Sequence, residues 1–146
     1  HGYDLNRNWD ATDARRMPEI AAQRAAIAAW IREGGKVALF LTLHNTETAE
    51  YLEGETGALG ERLFSTLARD TMFDPSRGLS ASGVSTTPGL AGRMSVVQGL
   101  TRDFGIPAFL MEQRIARGPK LGRPPGVADR LAFGRQLVTA IAAALE

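Results

Sequence analysis

Two residues of this 146-residue sequence, His44 and Glu112, have the types and settings that offer chemistry. Each stands where a short apolar run ends, His44 after residues 37–43 and Glu112 after residues 106–111. In open α/β sheets the binding crevice lies just beyond the carboxyl ends of the strands, so both side chains are expected there. A neutral imidazole is a preferred zinc ligand, and a carboxylate close by can take a proton from water that the metal has acidified. The pair suits metal-assisted hydrolysis. Each also has an ordinary reading: a His after a strand commonly makes a structural hydrogen bond, and a Glu there commonly pairs with a cation or caps a helix. The chain has no cysteine, so any metal falls to His, Asp or Glu.

The elements that must position these residues read as alternating helices and buried strands. Pro18 suits a first helical turn, and Ile20, Ile27, Trp30 and Ile31 recur near helical spacing until Gly34 and Gly35, which places a helix at 17–33. Residues 37–43 are apolar on both alternations, as in a strand buried on both faces of a parallel or mixed sheet. A second helix is expected over 57–70, with Leu59, Leu63, Phe64 and Leu67 on one side. The Gly-, Ser-, Thr- and Pro-rich stretch 73–93 is long for a connection, a length that often belongs to functional loops. A helical segment over 93–103 precedes the strand ending at Glu112. Arg114, Arg117, Lys120 and Arg123 then form a basic loop, and the last twenty residues an amphipathic helix with Leu131, Leu137, Val138 and Ile141. Trp9 and Trp30 read as packing residues. The fold class is α/β, a mixed, mostly parallel sheet flanked by helices. Only two strands are convincing, whereas sheets usually have about four to six, so the chain reads as truncated, with neighbouring strands in polypeptide that is absent here.

Composition narrows the partners. With a formal charge of +1 and 23% charged residues there is no electrostatic reason to expect nucleic acid or an anionic membrane. No apolar run approaches the roughly 18 residues needed to span a bilayer. No signal of compartment is visible in this segment.

The sequence Gly2-Tyr3-Asp4-Leu5-Asn6-Arg7-Asn8-Trp9 resembles the Gly-x-Asp-Leu-Asn-Arg-Asn-aromatic signature of carboxypeptidase A-like zinc metallocarboxypeptidases. Two further landmarks follow in that family's order: Leu41-Thr42-Leu43-His44-Asn45 and the stretch from Gly105 to Glu112. The resemblance implies a zinc-dependent hydrolase that removes the last residue of a peptide or protein. It makes Asn6 and Arg7 the binders of the substrate's terminal carboxylate, a role suited to a guanidinium's two parallel charge-assisted hydrogen bonds. It makes His44 a metal ligand and Glu112 the general base that later protonates the leaving amine. One Zn2+ ion is implied for the complete enzyme, and export is common among bacterial members.

Departures from the family's pattern qualify the expectation. The other two zinc ligands come, in the family, from a His-x-x-Glu motif upstream of the signature, and no such motif occurs here. The family's oxyanion-stabilising arginine also lies upstream. His1 stands where the family has no ligand. In place of the mobile tyrosine some members use, residues around Thr86, Thr87, Arg93 and Met94 occupy the stretch before the base; Tyr3 and Tyr51 are the only tyrosines. The expected partner is therefore the missing N-terminal half of the domain, and the isolated chain is expected to bind zinc weakly or not at all and to be inactive. Two alternatives remain: an N-acyl amino acid deacylase of the aspartoacylase and succinylglutamate desuccinylase type, suggested by Leu43-His44-Asn45-Thr46, and a non-catalytic carboxylate-binding domain.

Overall fold

A computed structural model describes residues 4–81 and 92–146. Gly2 and Tyr3 of the signature, His1, and Thr86 and Thr87 lie outside the described residues. Two compact units account for the chain, one containing residues 4–40 and 92–108 of those described, the other Leu41–Ala81 and Phe109–Glu146.

In the first unit, α1 (Pro18–Arg32) begins with proline in its first turn, where a missing N–H costs nothing, and stops at Gly34, whose φ of 87° takes the chain into the left-handed region. Its second helix, α3 (Val96–Phe104), starts at a capping box: the Ser95 hydroxyl accepts from Gln98 N–H, and the Gln98 side chain accepts from Ser95 N–H. Gly105, with φ 64°, ends it. Trp9, Met17, Ile20, Val96, Val97, Leu100 and Ile106 form the buried interior of this unit. Trp30, expected to pack, is 55% exposed and donates its indole N–H to the Lys36 carbonyl.

The second unit is built on a four-stranded mixed sheet in the order β1-β4-β2-β3, with β1 (Phe40–Thr46), β2 (Tyr51–Gly54), β3 (Ser80–Ala81) and β4 (Ala108–Arg114). The sequence expectation of α/β class holds, but it found two of the four strands. In the register, β2 runs antiparallel to β4, with Tyr51 opposite Glu112 and Glu53 opposite Leu110, and parallel to β3, with Glu53 beside Ser80. The Ile115 N–H donates to the Thr46 carbonyl at 3.0 Å. In a parallel ladder that bond sets Thr46 beside Arg114 and therefore His44 beside Glu112.

Side chains alternate across a sheet, so Thr42, His44, Tyr51, Glu53, Ser80, Leu110 and Glu112 share one face. The opposite face carries Leu52, Phe109 and Met111, each 0% exposed. On that side α4 (Val127–Leu145) holds Gln113 through Arg130, and α4 packs against α2 (Ala58–Asp70). Leu63 and Leu67 of α2, with Phe133, Leu137, Ala140 and Ala144 of α4, are the buried helix positions; Leu131 and Val138 are 61% and 70% exposed, against expectation. Part of the basic loop is also structural: the Lys120 ammonium donates to the carbonyls of Ala68, Thr71 (2.7 Å) and Phe73 (3.0 Å), closing the C-terminus of α2.

Two strand expectations need correction. The first strand begins three residues later than its apolar run and carries His44 within it, and Glu112 likewise lies inside β4. β1 is an edge strand, half-buried with Leu43 51% exposed, and is not covered on both faces. Leucine and phenylalanine content alone does not distinguish an edge from a central strand; the strand order does.

Candidate active site

The second unit brings His44 and Glu112 together on neighbouring strands. Both are half-buried. The Glu112 carboxylate keeps one oxygen, Oε2, out of water and without a hydrogen-bond partner. Burial pushes its pKa above the ordinary 4.5, the His44 imidazole pulls it back, and the Glu53 carboxylate pushes it further up. His44 Nε2 lies 3.1 Å from the Thr42 hydroxyl, two residues away on the same face. A carboxyl with a raised pKa beside an imidazole can accept a proton.

Sequence reasoning did not find what surrounds this pair. Tyr51 faces Glu112 across the β2–β4 ladder. Its phenol is raised by burial and by the charges of Glu112 and Glu53, with Arg77 opposing. The Arg77 guanidinium carbon lies 4.2 Å from the centre of the Tyr51 ring, and the same side chain meets Glu53 at 3.5 Å. One row further along, the Ser80 hydroxyl is buried without a partner. The signal was weak because β2 is four residues long and contains Glu and Gly, which strands disfavour.

The first unit holds Asn6 and Arg7 on a tightly tied loop. Asn6 N–H donates to Asp4 Oδ1 at 2.8 Å and Arg7 N–H to the Asp4 carbonyl at 3.0 Å. Asn8 takes φ 63°, a conformation asparagine tolerates, and donates to Gly92 O. Trp9, 2% exposed, donates its backbone N–H to Met94 O and its indole N–H to Leu5 O. Asp10 accepts from the amides of Gly92 and Met94; burial alone would raise its carboxyl, but these amides and Arg102 hold it below the ordinary range. The Asn6 carboxamide oxygen accepts from Val96 N–H at the start of α3 (3.3 Å), so its NH2 group is the end left for a ligand. Arg7 makes one side-chain bond, to the Asn6 carbonyl at 2.8 Å, and no ion pair with a carboxylate among the described residues. Its remaining donors suit a carboxylate.

His44 offers one imidazole, and among the described residues no group of three or more His, Asp or Glu converges on a common point. A catalytic zinc takes three protein ligands. These residues therefore fit one ligand position of such a site, and not the whole of it. No helix among the described residues is long and apolar enough to cross a membrane.

No protein-family model and no curated protein matches the sequence. Among solved structures, a metallo-carboxypeptidase from Burkholderia cenocepacia is similar, with a TM-score of 0.73 and 19% identity over 99% of this chain. The chain spans 38% of the length of that protein. At this identity the likeness establishes a shared fold.

Proposed function

We propose that the chain is part of the catalytic domain of a zinc-dependent metallocarboxypeptidase, which hydrolyses the C-terminal bond of peptides and proteins. The observation that carries this reading is the placement of His44 beside Glu112, whose carboxylate has a buried, unpartnered oxygen and a raised pKa. In this reading Arg7 and the Asn6 NH2 group hold the substrate's terminal carboxylate. Glu112 takes a proton from the attacking water and returns it to the leaving amine, a task for which a carboxyl pKa moved toward neutrality is suited. Tyr51 stands opposite Glu112 on the neighbouring strand, with the Arg77 guanidinium on its ring. His44 is the residue of this chain that would bind zinc; the ion, when held with further ligands, polarises the scissile carbonyl and acidifies water.

Two assays on the protein completed with its remaining ligands test the proposal. Release of the C-terminal residue from a blocked dipeptide, lost with a chelator and restored by zinc, supports it. Cleavage of an N-acyl aspartate in preference to the dipeptide would place the chain with the deacylases. Zinc-independent carboxylate binding without hydrolysis of either would make it a binding domain.

A further inference from the structure

We propose that Asp10 is a positioning residue for the carboxylate grip: through the backbone amides of Gly92 and Met94 it fixes the pose in which Asn6 and Arg7 meet a substrate's terminal carboxylate. This deepens the functional reading, and it rests on that reading for the identity of the ligand.

Residues 6–10 and 92–96 are joined along their length. Asn8 N–H donates to the Gly92 carbonyl at 3.2 Å and Trp9 N–H to the Met94 carbonyl at 3.1 Å. The amides of the same two partners turn back to Asp10, Gly92 N–H to Oδ2 at 2.9 Å and Met94 N–H to Oδ1 at 3.1 Å. Gly92 and Met94 thus have both backbone polar groups engaged by residues 8–10, with a side-chain carboxylate standing where a ladder would offer carbonyls. Further along, Val96 N–H donates to Asn6 Oδ1 at 3.3 Å. Arg7 therefore lies between two anchored residues, Asn6 and Asn8. The approach is close: Gly92 has φ 78°, and a Cβ there would come within 2.8 Å of Asn8 Oδ1.

Both oxygens of one charged group are needed for this. A carboxylate has acceptors on either side and no donor, so it takes the two amides at once. The isosteric carboxamide accepts from one amide and turns its NH2 group toward the other, leaving that N–H without a partner. Among the described residues Asp10 forms no ion pair, since the nearby Arg102 pairs with Asp103, so holding the two amides is the bonded role it has. A guanidinium fork and a carboxamide NH2 group hold a planar carboxylate only while their spacing is kept. A loop released by loss of Asp10 therefore weakens the hold on the carboxylate and not on the rest of a ligand.

NMR titration of the 146-residue chain with N-acetyl-glycyl-leucine, and with the C-terminal amide of the same compound, tests this. The parent is expected to bind the acid about tenfold more tightly than the amide. Asp10→Asn should lower affinity for the acid about tenfold while changing that for the amide by less than about twofold. Lys120→Met, which loosens the other unit, should leave both affinities as they are. An unchanged affinity for the acid in Asp10→Asn, an equal loss for acid and amide, or the same loss in Lys120→Met overturns the proposal. In the unliganded chain the side-chain resonances of Asn6 and Arg7 read the pose itself: Asp10→Asn should move them, and unmoved resonances overturn the proposal too. Moved resonances in a chain whose parent does not prefer the acid would defeat the functional reading and leave the positioning role standing; a preference for the acid that survives Asp10→Asn would do the reverse.

Discussion

Gly99→Ala is the substitution for which propensity and packing disagree most sharply. Gly99 lies inside α3, where alanine ordinarily stabilises by about 1 kcal/mol over glycine. Here a Cβ would sit 2.6 Å from the Cβ of Trp9 and 3.4 Å from its Cγ. Trp9 has little room to yield. It is 2% exposed, its N–H is held by Met94 O at 3.1 Å, its indole by Leu5 O at 3.0 Å, and its carbonyl by Arg24 Nη1 at 2.9 Å. Overpacking costs about 1–3 kcal/mol, and a clash against a pinned backbone belongs at the upper end. The net expectation is a loss of about 2 kcal/mol, a fall in Tm on the order of 5–10 °C. Urea unfolding should show a lower midpoint with an unchanged slope. Because Trp9 is two residues from Arg7, binding of a peptide's terminal carboxylate should weaken with it. A midpoint equal to or above the parent's would refute the reasoning, since helix propensity would then have outweighed the contact.

Two carboxyls, Glu50 buried and Glu112 half-buried, set a pH dependence. Burial raises both Glu112 and Glu50, the latter against a hydrogen bond from Asp74 N–H and the charge of Arg114. A folded state that keeps protons the unfolded chain has lost is fully stabilised by them below the ordinary 4.5 and loses that stabilisation as pH rises through the folded values. Glu112→Gln and Glu50→Gln should therefore raise Tm at pH 7 relative to the parent more than at pH 4; a gain confined to pH 4 would contradict this. Lys120→Met, which strips three carbonyls at the end of α2 of their ammonium donor, should cost about 1–2 kcal/mol by denaturant titration. Arg7→Lys, which loses the paired donors, should raise KM for a blocked dipeptide about tenfold while changing kcat less, since a point charge replaces a fork.

The candidate pair was legible in the sequence because an imidazole and a carboxylate each stood at the end of an apolar run, and a parallel ladder with the right offset then placed them side by side. Helix ends were legible too, where Pro18, Gly34 and Gly105 mark them, whereas the start of α3 at the Ser95 cap lies two to three residues past the expected one. What sequence did not disclose depends on non-local pairing. The short strand Tyr51–Gly54 gains its identity from Leu52 buried opposite Met111, and β3 exists through two residues beside Glu53 and Gly54. Tyr51 consequently went unrecognised as a neighbour of Glu112, and Arg77 as its partner. Periodicity also overcommitted α4: Leu131 and Val138 fit an apolar stripe, yet they face outward while Leu137 is buried. The role of Asn6 is shared in a way its motif does not reveal, with its oxygen occupied by α3 and its NH2 group left for a ligand.

The central claim is that Glu112 is the base of a metal-dependent peptidase, and Glu112→Gln in the completed protein tests it most directly. Glutamine keeps the shape and removes the proton acceptor. With zinc content and dipeptide KM retained, kcat for release of the C-terminal residue should fall by a factor on the order of 10²–10⁴. Hydrolysis at the parent's rate, with zinc still bound, would contradict the account and remove Glu112 from the chemistry.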